Sequence, residues 1–252
     1  MGSGRCTGRP LLEQLLPPAV VAEERYGDAP GPAPYPEEAA VVAGAVERRR
    51  REFTTVRLCA RSALARLGAP PGPVLPQGSD GPRWARGAPR WPDGVVGSMT
   101  HCEGFRAAAV AHRAAVASVG VDAEPHEVLP RGVESVIAGP EERDALARAA
   151  AAHPGVAWSR VLFSAKESVY KAWFPLTGRW LGFDQCRITL QPRDGTFTAD
   201  LLVPGPVVGG RRVERFTGRW RVSGAVAPHH GRGHIVTAVA VPAHAGPGGG
   251  AR

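Results

Sequence analysis

The sequence predicts an α+β protein of two consecutive halves, and three observations lead there. Between residues 44 and 67 the apolar residues Val46, Phe53, Val56, Ala60, Leu64 and Leu67 recur at spacings of three, four and seven, which marks a helical stripe. Two short runs, 95–100 and 105–111, flank a tight turn at 101–104 and read as strands, and a third strand, 115–121, follows. After a long helix over 159–173 the chain turns to strand again, at 187–191, 196–203, 219–226 and 234–241. Helices and strands thus fall on both sides of a join near residues 112–116. This divides the chain into halves 1–114 and 115–242, with a disordered tail at 243–252.

In chain order, residues 1–10 read as unstructured and 11–21 as a short strand or helix before the Pro/Gly-rich connector 28–36. Pro36 in a first turn, with Glu37 and Glu38 at the positive end, starts a helix. Thr54 or Thr55 can cap a second helix, so the stripe fits one helix or two with a kink. If the helix is straight, Arg49 lies within the apolar stripe and Arg57 at its edge. A guanidinium on a packing face needs an anionic partner unless it snorkels to water. Residues 69–92 form a Pro/Gly loop carrying Arg83, Trp84, Arg86, Arg90 and Trp91. Helical segments occupy 133–152, one of them opened by Pro140, Glu141 and Glu142. Pro175 ends or kinks the long helix, and Asp194-Gly195 and residues 204–210 separate the last strands.

The chain has 252 residues, 43% hydrophobic and 21% charged, which suits a globular protein with a real core. Its longest apolar runs fall short of the roughly 18 residues that span a bilayer, and Glu13 and Gln14 interrupt any signal-peptide core, so the expected setting is cytoplasmic. Cys6, Cys59, Cys102 and Cys186 show neither a C-x-x-C pair nor zinc-finger spacing and read as free thiols. A net charge of +8 points to an anionic partner: nucleic acid, a phosphorylated cofactor or an acidic protein.

The chemistry concentrates in two stretches, GVDAEP at 120–125 and FSAKESVYKAW at 163–173. Of 31 Lys+Arg, only Lys166 and Lys171 are lysines, and both lie in the second stretch. Lysine is a compact ammonium suited to a phosphate oxygen or a proton transfer, where arginine offers a flat fork. Glu167 and Lys171 are four apart and share a helix face. Asp122 and Glu124, two apart at the end of a strand, point the same way and repel unless a cation or proton lies between them. With Glu167 they make a Mg²⁺ set, this hard cation taking few protein oxygens and preferring substrate phosphates. A solvated D-x-E at a strand end and a surface Glu–Lys pair are the plainer readings of the same residues. Thr100 and His101 offer a hydroxyl and an imidazole at the turn. Ser168–Lys171 matches S-x-x-K, but the accompanying S-D-N and K-T-G elements are missing; G-x-S-x-G, Walker A and G-x-G-x-x-G are missing too.

Together, GVDAEP and FSAKESVYKAW resemble the signature pair of the surfactin-type 4′-phosphopantetheinyl transferases. RRREFTTVRLCARSAL at 49–64, PRWPDGVVGSMTHCEGF at 89–105 and WFPLTGRWLGF at 173–183 resemble the actinobacterial, enterobactin-synthetase-component-D branch. The likeness spans roughly residues 40–185, with the motifs in the family's order. It implies a pseudo-twofold monomer of two α/β halves with coenzyme A in the cleft between them. It implies a holo-[acyl-carrier-protein] synthase activity: the phosphopantetheine arm passes to a serine of an apo carrier protein and 3′,5′-ADP leaves. By the same resemblance Asp122, Glu124 and Glu167 hold Mg²⁺, Glu167 serves as base, and Lys171 meets the α-phosphate, with Lys166 beside it a candidate proton relay. Thr100 and His101 match the turn that meets the 3′-phosphate, Arg49 and Arg57 the nucleotide clamp, Arg83–Arg86 the adenine loop, and Trp180 and Leu181 the pantetheine channel. The first half then supplies the nucleotide contacts and the second the metal site. The implied partners are carrier domains of polyketide, nonribosomal peptide or fatty-acid synthases, whose acidity suits the +8 charge.

Two rivals remain at this stage. A Mg²⁺-dependent nucleic-acid enzyme also explains basic charge with clustered carboxylates, yet the aromatic content of 6% shows no interleaved basic–aromatic platform. A non-catalytic carrier-binding relative conflicts with the filled ligand positions.

Overall fold

The helical stripe organises the first half. In the computed structural model, which describes residues 10–28, 31–77, 87–224 and 233–244, a strand β1 (Val20–Tyr26) precedes a short helix α1 (Pro36–Val41) and the long helix α2 (Glu47–Leu67). Phe53, Val56, Ala60, Ala63 and Leu64 form the buried face of α2. The helix is one piece: Thr55 caps nothing and instead donates its hydroxyl to Arg51 O, 2.9 Å away, one turn back. It begins at Glu47, after an extended and exposed Val46, and Gly68 at φ 80° ends it. Arg49, expected on the packing stripe, has its side chain 49% exposed, and the guanidinium buried on α2 is that of Arg57.

Strands β2 (Val95–Cys102) and β3 (Phe105–His112) form a hairpin turned at Glu103-Gly104. With β1 they make an antiparallel sheet in the order β1-β3-β2, on which α2 packs. Residues 11–21 were open to strand or helix. They divide into a 3₁₀ turn at Leu12–Gln14 and the start of β1, which continues to Tyr26 through Glu23, Glu24 and Arg25. That polar run hid the strand. Glu24 turns back to accept the N–H groups of Leu11 and Leu12 at 2.8 and 3.0 Å, a tertiary role no hydropathy pattern shows.

The second half opens with β4 (Val116–Pro125), followed by α3 (Val133–Ile137), α4 (Pro140–Ala152) and the central helix α5 (Trp158–Thr177). Pro175 does not end α5, which runs on to Thr177 and stops at Gly178, φ 64°. A proline in the last turn forfeits a single hydrogen bond. Then come β5 (Cys186–Gln191), β6 (Thr196–Leu201), the short pair β7 (Val207–Val208) and β8 (Arg211–Arg212), β9 (Arg215–Val222) and β10 (His234–Pro242). Five of these strands form an antiparallel sheet, β4-β10-β9-β6-β5, with α5 packed on β4 and β10. β4 outlasts its expected end because β10 pairs along it to His234↔Pro125, so Asp122 and Glu124 stand within the paired strand rather than at its end.

Each half is thus a long helix on an antiparallel sheet, and the halves share a core. One apolar cluster joins Leu12, Val20, Phe105 and Ala109 of the first half to Val119, Val121, Val236 and Ala238 of the second. β2 and β4 also lie side by side: Ser98 Oγ accepts the N–H of Val121 (3.1 Å) and Thr100 Oγ1 that of Ala123 (3.0 Å). Of the expected tail, residues 245–252 lie outside the described residues.

Candidate active site

The site is built where α5 crosses β4, and Gly120 makes the crossing possible. A Cβ there would stand 1.9 Å from Ser168 O and 2.6 Å from Ala172 N, so only glycine admits the helix. Ser118, two residues earlier, donates its hydroxyl to Ala172 O at 2.7 Å. This contact sets the second signature stretch against the first.

Asp122 is buried and fully engaged. Its Oδ1 accepts from Lys171 Nζ (2.7 Å) and Thr100 Oγ1 (3.3 Å), and its Oδ2 from Ser164 Oγ (2.8 Å). Lys171 also donates to Val121 O at 3.1 Å. Glu124 accepts from Arg160 at 2.9 Å, yet burial and the charge of Asp122 push its carboxyl up to about 7. Glu167 likewise lies above the ordinary carboxylate range, raised by burial and by Asp122 and drawn back by Lys171. Glu167, Tyr170 and Lys171 line one side of a cleft of about 440 Å³, faced by Val96–Met99 of β2 and by Arg90 and Trp91. A larger groove, about 680 Å³, runs between α4 and β5, away from the raised carboxylates.

A second charged cluster lies on the first half. Arg49 donates to His101 Nε2 at 2.9 Å, so that nitrogen is the acceptor and the imidazole is neutral. Burial, then the neighbouring Arg49 charge, lowers the His101 pKa. Glu52 lies 3.9 Å from His101 Nδ1 and 3.6 Å from Arg106, and the buried Arg106 binds Asp28 through Nε at 3.0 Å.

The structure therefore brings Asp122, Glu124, Glu167 and Lys171 into one electrostatic neighbourhood and sets Arg49 beside His101. It commits Thr100 to Asp122 rather than to open solvent. It also seats Arg57 over the Phe53 ring at 3.7 Å, with Nε on Val74 O at 3.3 Å and burial lowering its pKa to about 10. Leu181 is buried, and the exposed Trp180 rests its ring 5.0 Å from that of Tyr170. Arg83 and Arg86 lie outside the described residues. Sequence reasoning passed over Arg160, Ser164 and Glu52, each of which orients or balances a predicted residue, and Arg106, which pairs with Glu52 and Asp28. Ser164 alone had a signal, its place inside FSAKES.

Among the described residues no three His, Cys, Asp or Glu side chains already stand as a metal cage, since Asp122 and Glu124 are turned onto Lys171 and Arg160. The donor chemistry fits Mg²⁺ all the same: hard oxygens, with two of the three carboxyls raised first by burial and then by the charge of Asp122, which a divalent cation offsets.

Comparison with known proteins decides the family. The model of the 4′-phosphopantetheinyl transferase N-terminal domain matches residues 37–111, and that of the 4′-phosphopantetheinyl transferase superfamily matches residues 118–220. The 4′-phosphopantetheinyl transferase Svp of Streptomyces mobaraensis is 56% identical over 239 residues, 94% of this chain and 91% of that protein. The chain belongs to the 4′-phosphopantetheinyl transferase family. The transferase PptT of Mycobacterium tuberculosis is 46% identical over 91% of this chain and 97% of its own length. Enterobactin synthase component D of Salmonella typhi is more distant, 31% identical over 56% of this chain. This transferase activates carrier proteins, in a family whose donor is coenzyme A. Both signature stretches fall within the superfamily match, on the two elements that cross at Gly120.

Proposed function

We propose that coenzyme A lies in the cleft between β2 and α5, and that transfer to the carrier serine takes place at the edge formed by Glu167, Lys171 and Asp122. One observation carries this reading: Glu167 and Lys171 line the same cleft, and Lys171 is bonded at 2.7 Å to the aspartate of the first signature stretch. Glu167, with its raised pKa, takes the proton of the incoming hydroxyl. The serine oxygen then forms a bond to the phosphorus that carries pantetheine, and the bond from that phosphorus to the bridging oxygen breaks, releasing 3′,5′-ADP. Lys171 turns its ammonium from Asp122 to the α-phosphate and steadies the charge gathering on the leaving group. Asp122, Glu124 and Glu167 are the residues to hold Mg²⁺, which when bound supplies charge neutralisation at the pyrophosphate.

Arg49 and His101 are the groups to meet the 3′-phosphate. They form a polar pair, hydrogen-bonded at 2.9 Å with the Arg49 side chain half exposed. The halves are related by a pseudo-twofold, divide near residues 114–115 and act as a monomer in the cytoplasm. The acceptors are apo carrier domains of polyketide, nonribosomal peptide or fatty-acid synthases, drawn by the +8 charge, and nucleic acid is no substrate. Chromatographic detection of 3′,5′-ADP from coenzyme A and an apo carrier domain tests the reading. Release that needs the carrier and vanishes in Asp122→Asn supports it; undiminished release by that variant refutes the site.

A further inference from the structure

The two lysines of the chain sit five residues apart on α5 and keep different company. Lys171 lines the cleft, whereas Lys166 is 4% exposed. Three acceptors surround its ammonium: Glu142 Oε2 at 2.9 Å, Phe183 O at 2.7 Å and Cys186 O at 3.0 Å. An ammonium has three N–H donors and no lone pair, so every donor is satisfied and none is left to shuttle a proton. Glu142 is equally committed. Its Oε1 accepts the N–H of Ile188 and its Oε2 that of Gly139, each at 2.8 Å.

Cys186 and Ile188 lie on β5, the outer strand of the large sheet, which among the described residues pairs only with β6. Lys166 on one strand carbonyl and Glu142 on a strand N–H therefore occupy the edge that a sixth strand would otherwise take. The same ammonium holds Phe183, in the segment that returns from α5 to β5. That segment is also fastened by Trp173 Nε1 donating to Arg179 O at 2.9 Å. Between it and the helix lies a pocket of about 90 Å³ lined by Glu167, Tyr170, Trp180 and Leu181, and Glu167 and Tyr170 line the large cleft as well.

We propose that Lys166, locked by Glu142, is a positioning residue: it holds segment 178–186 against α5, sets the shape of the pocket beside Glu167, and relays no proton. This rests on the placement of the chemistry at Glu167 given above. The Arg49–His101 cluster, on the other half, does not depend on the lock.

The test compares full-length Lys166→Met, Glu142→Gln and the double variant with wild type, at a temperature where circular dichroism shows each folded. Each single change lowers kcat/KM for transfer by about 10-fold, while the affinity for 3′,5′-ADP and the shape of the pH–rate profile stay as in wild type. The double variant is no worse than either single one, because no buried charge is left stranded. If Lys166→Met removes a limb of the pH profile while Glu142→Gln remains at wild type, the proton role returns and the proposal fails. Lower thermal midpoints with wild-type kcat/KM in all variants overturn it too, leaving a pair that serves the fold alone. Should Lys166→Met not fold, Glu142→Gln and Lys166→Arg carry the same comparison. A fully active Glu167→Gln counts against the placement of the reaction, separately from the lock.

Discussion

Replacing Gly120 by alanine tests the crossing that assembles the site. The new methyl group would stand 1.9 Å from Ser168 O and 2.6 Å from Ala172 N, the acceptor and donor of one α5 hydrogen bond. Ordinary contact begins near 3.4 Å, so helix and strand have to part by about 1.5 Å. Neither is free to do so locally, since Ser118 also grips Ala172 O and Lys171 grips Asp122. Overpacking of this kind costs roughly 1–3 kcal/mol. Weakening the charged Lys171–Asp122 bond adds roughly 1.5–3 kcal/mol. A loss of about 3–5 kcal/mol is expected in urea unfolding, a large share of the 5–15 kcal/mol typical of a domain. In the folded fraction kcat/KM falls by about 100-fold, because a displacement near 1 Å at reacting groups has that effect. Gly155→Ala, with nothing within 4 Å of the new Cβ, is the control. A Gly120→Ala protein with the wild-type urea midpoint and activity within threefold would refute the reasoning.

Three further outcomes follow from the same geometry. Lys171→Met leaves Asp122 buried on hydroxyl partners alone; stability drops by about 3 kcal/mol and turnover by at least about 100-fold, read by thermal unfolding and initial rates. EDTA stops transfer yet leaves the thermal midpoint unchanged, because Asp122 and Glu124 already have Lys171 and Arg160 as partners; a midpoint that falls with EDTA contradicts this. His101 has a pKa below the usual imidazole value and is neutral in the free protein at pH 7. A phosphate dianion beside it raises that pKa, so coenzyme A binding takes up protons and tightens as pH falls from about 7 to 6. Calorimetry in buffers of different ionisation enthalpy measures the uptake, and equal uptake by wild type and His101→Gln contradicts it.

The parts of the fold visible in the sequence were those whose periodicity survives in one dimension. The α2 stripe, the β2–β3 hairpin and the α5 face all carry it. β1 escaped because three charged residues in a row mask a strand whose polar face Glu24 ties to a distant turn. Arg49 and Arg57 each lie four residues from Phe53, so spacing cannot separate them: Arg49, in the first turn of α2, reaches His101, while Arg57, mid-helix, lies over Phe53 and bonds Val74 O. In the site, Asp122, Glu167 and Lys171 were legible from charge type and spacing. Arg160 was not, and Ser164 only by its place in FSAKES, since what they balance lies on another element, 36 and 42 residues away. Spacing puts Lys171 on the Glu167 face but does not say what Lys166 meets. Only the packing of α4 and β5 shows that one faces a buried carboxylate and the other a cleft.

The central claim is that the Glu167–Lys171–Asp122 edge performs carrier activation. Intact-mass spectrometry of an apo carrier domain incubated with the protein, coenzyme A and Mg²⁺ tests it most directly. The expected result is a carrier heavier by one phosphopantetheine, with the gain abolished by EDTA and by Glu167→Gln while that variant still binds coenzyme A. An unmodified carrier across several carrier types, or full modification by Glu167→Gln, would contradict it.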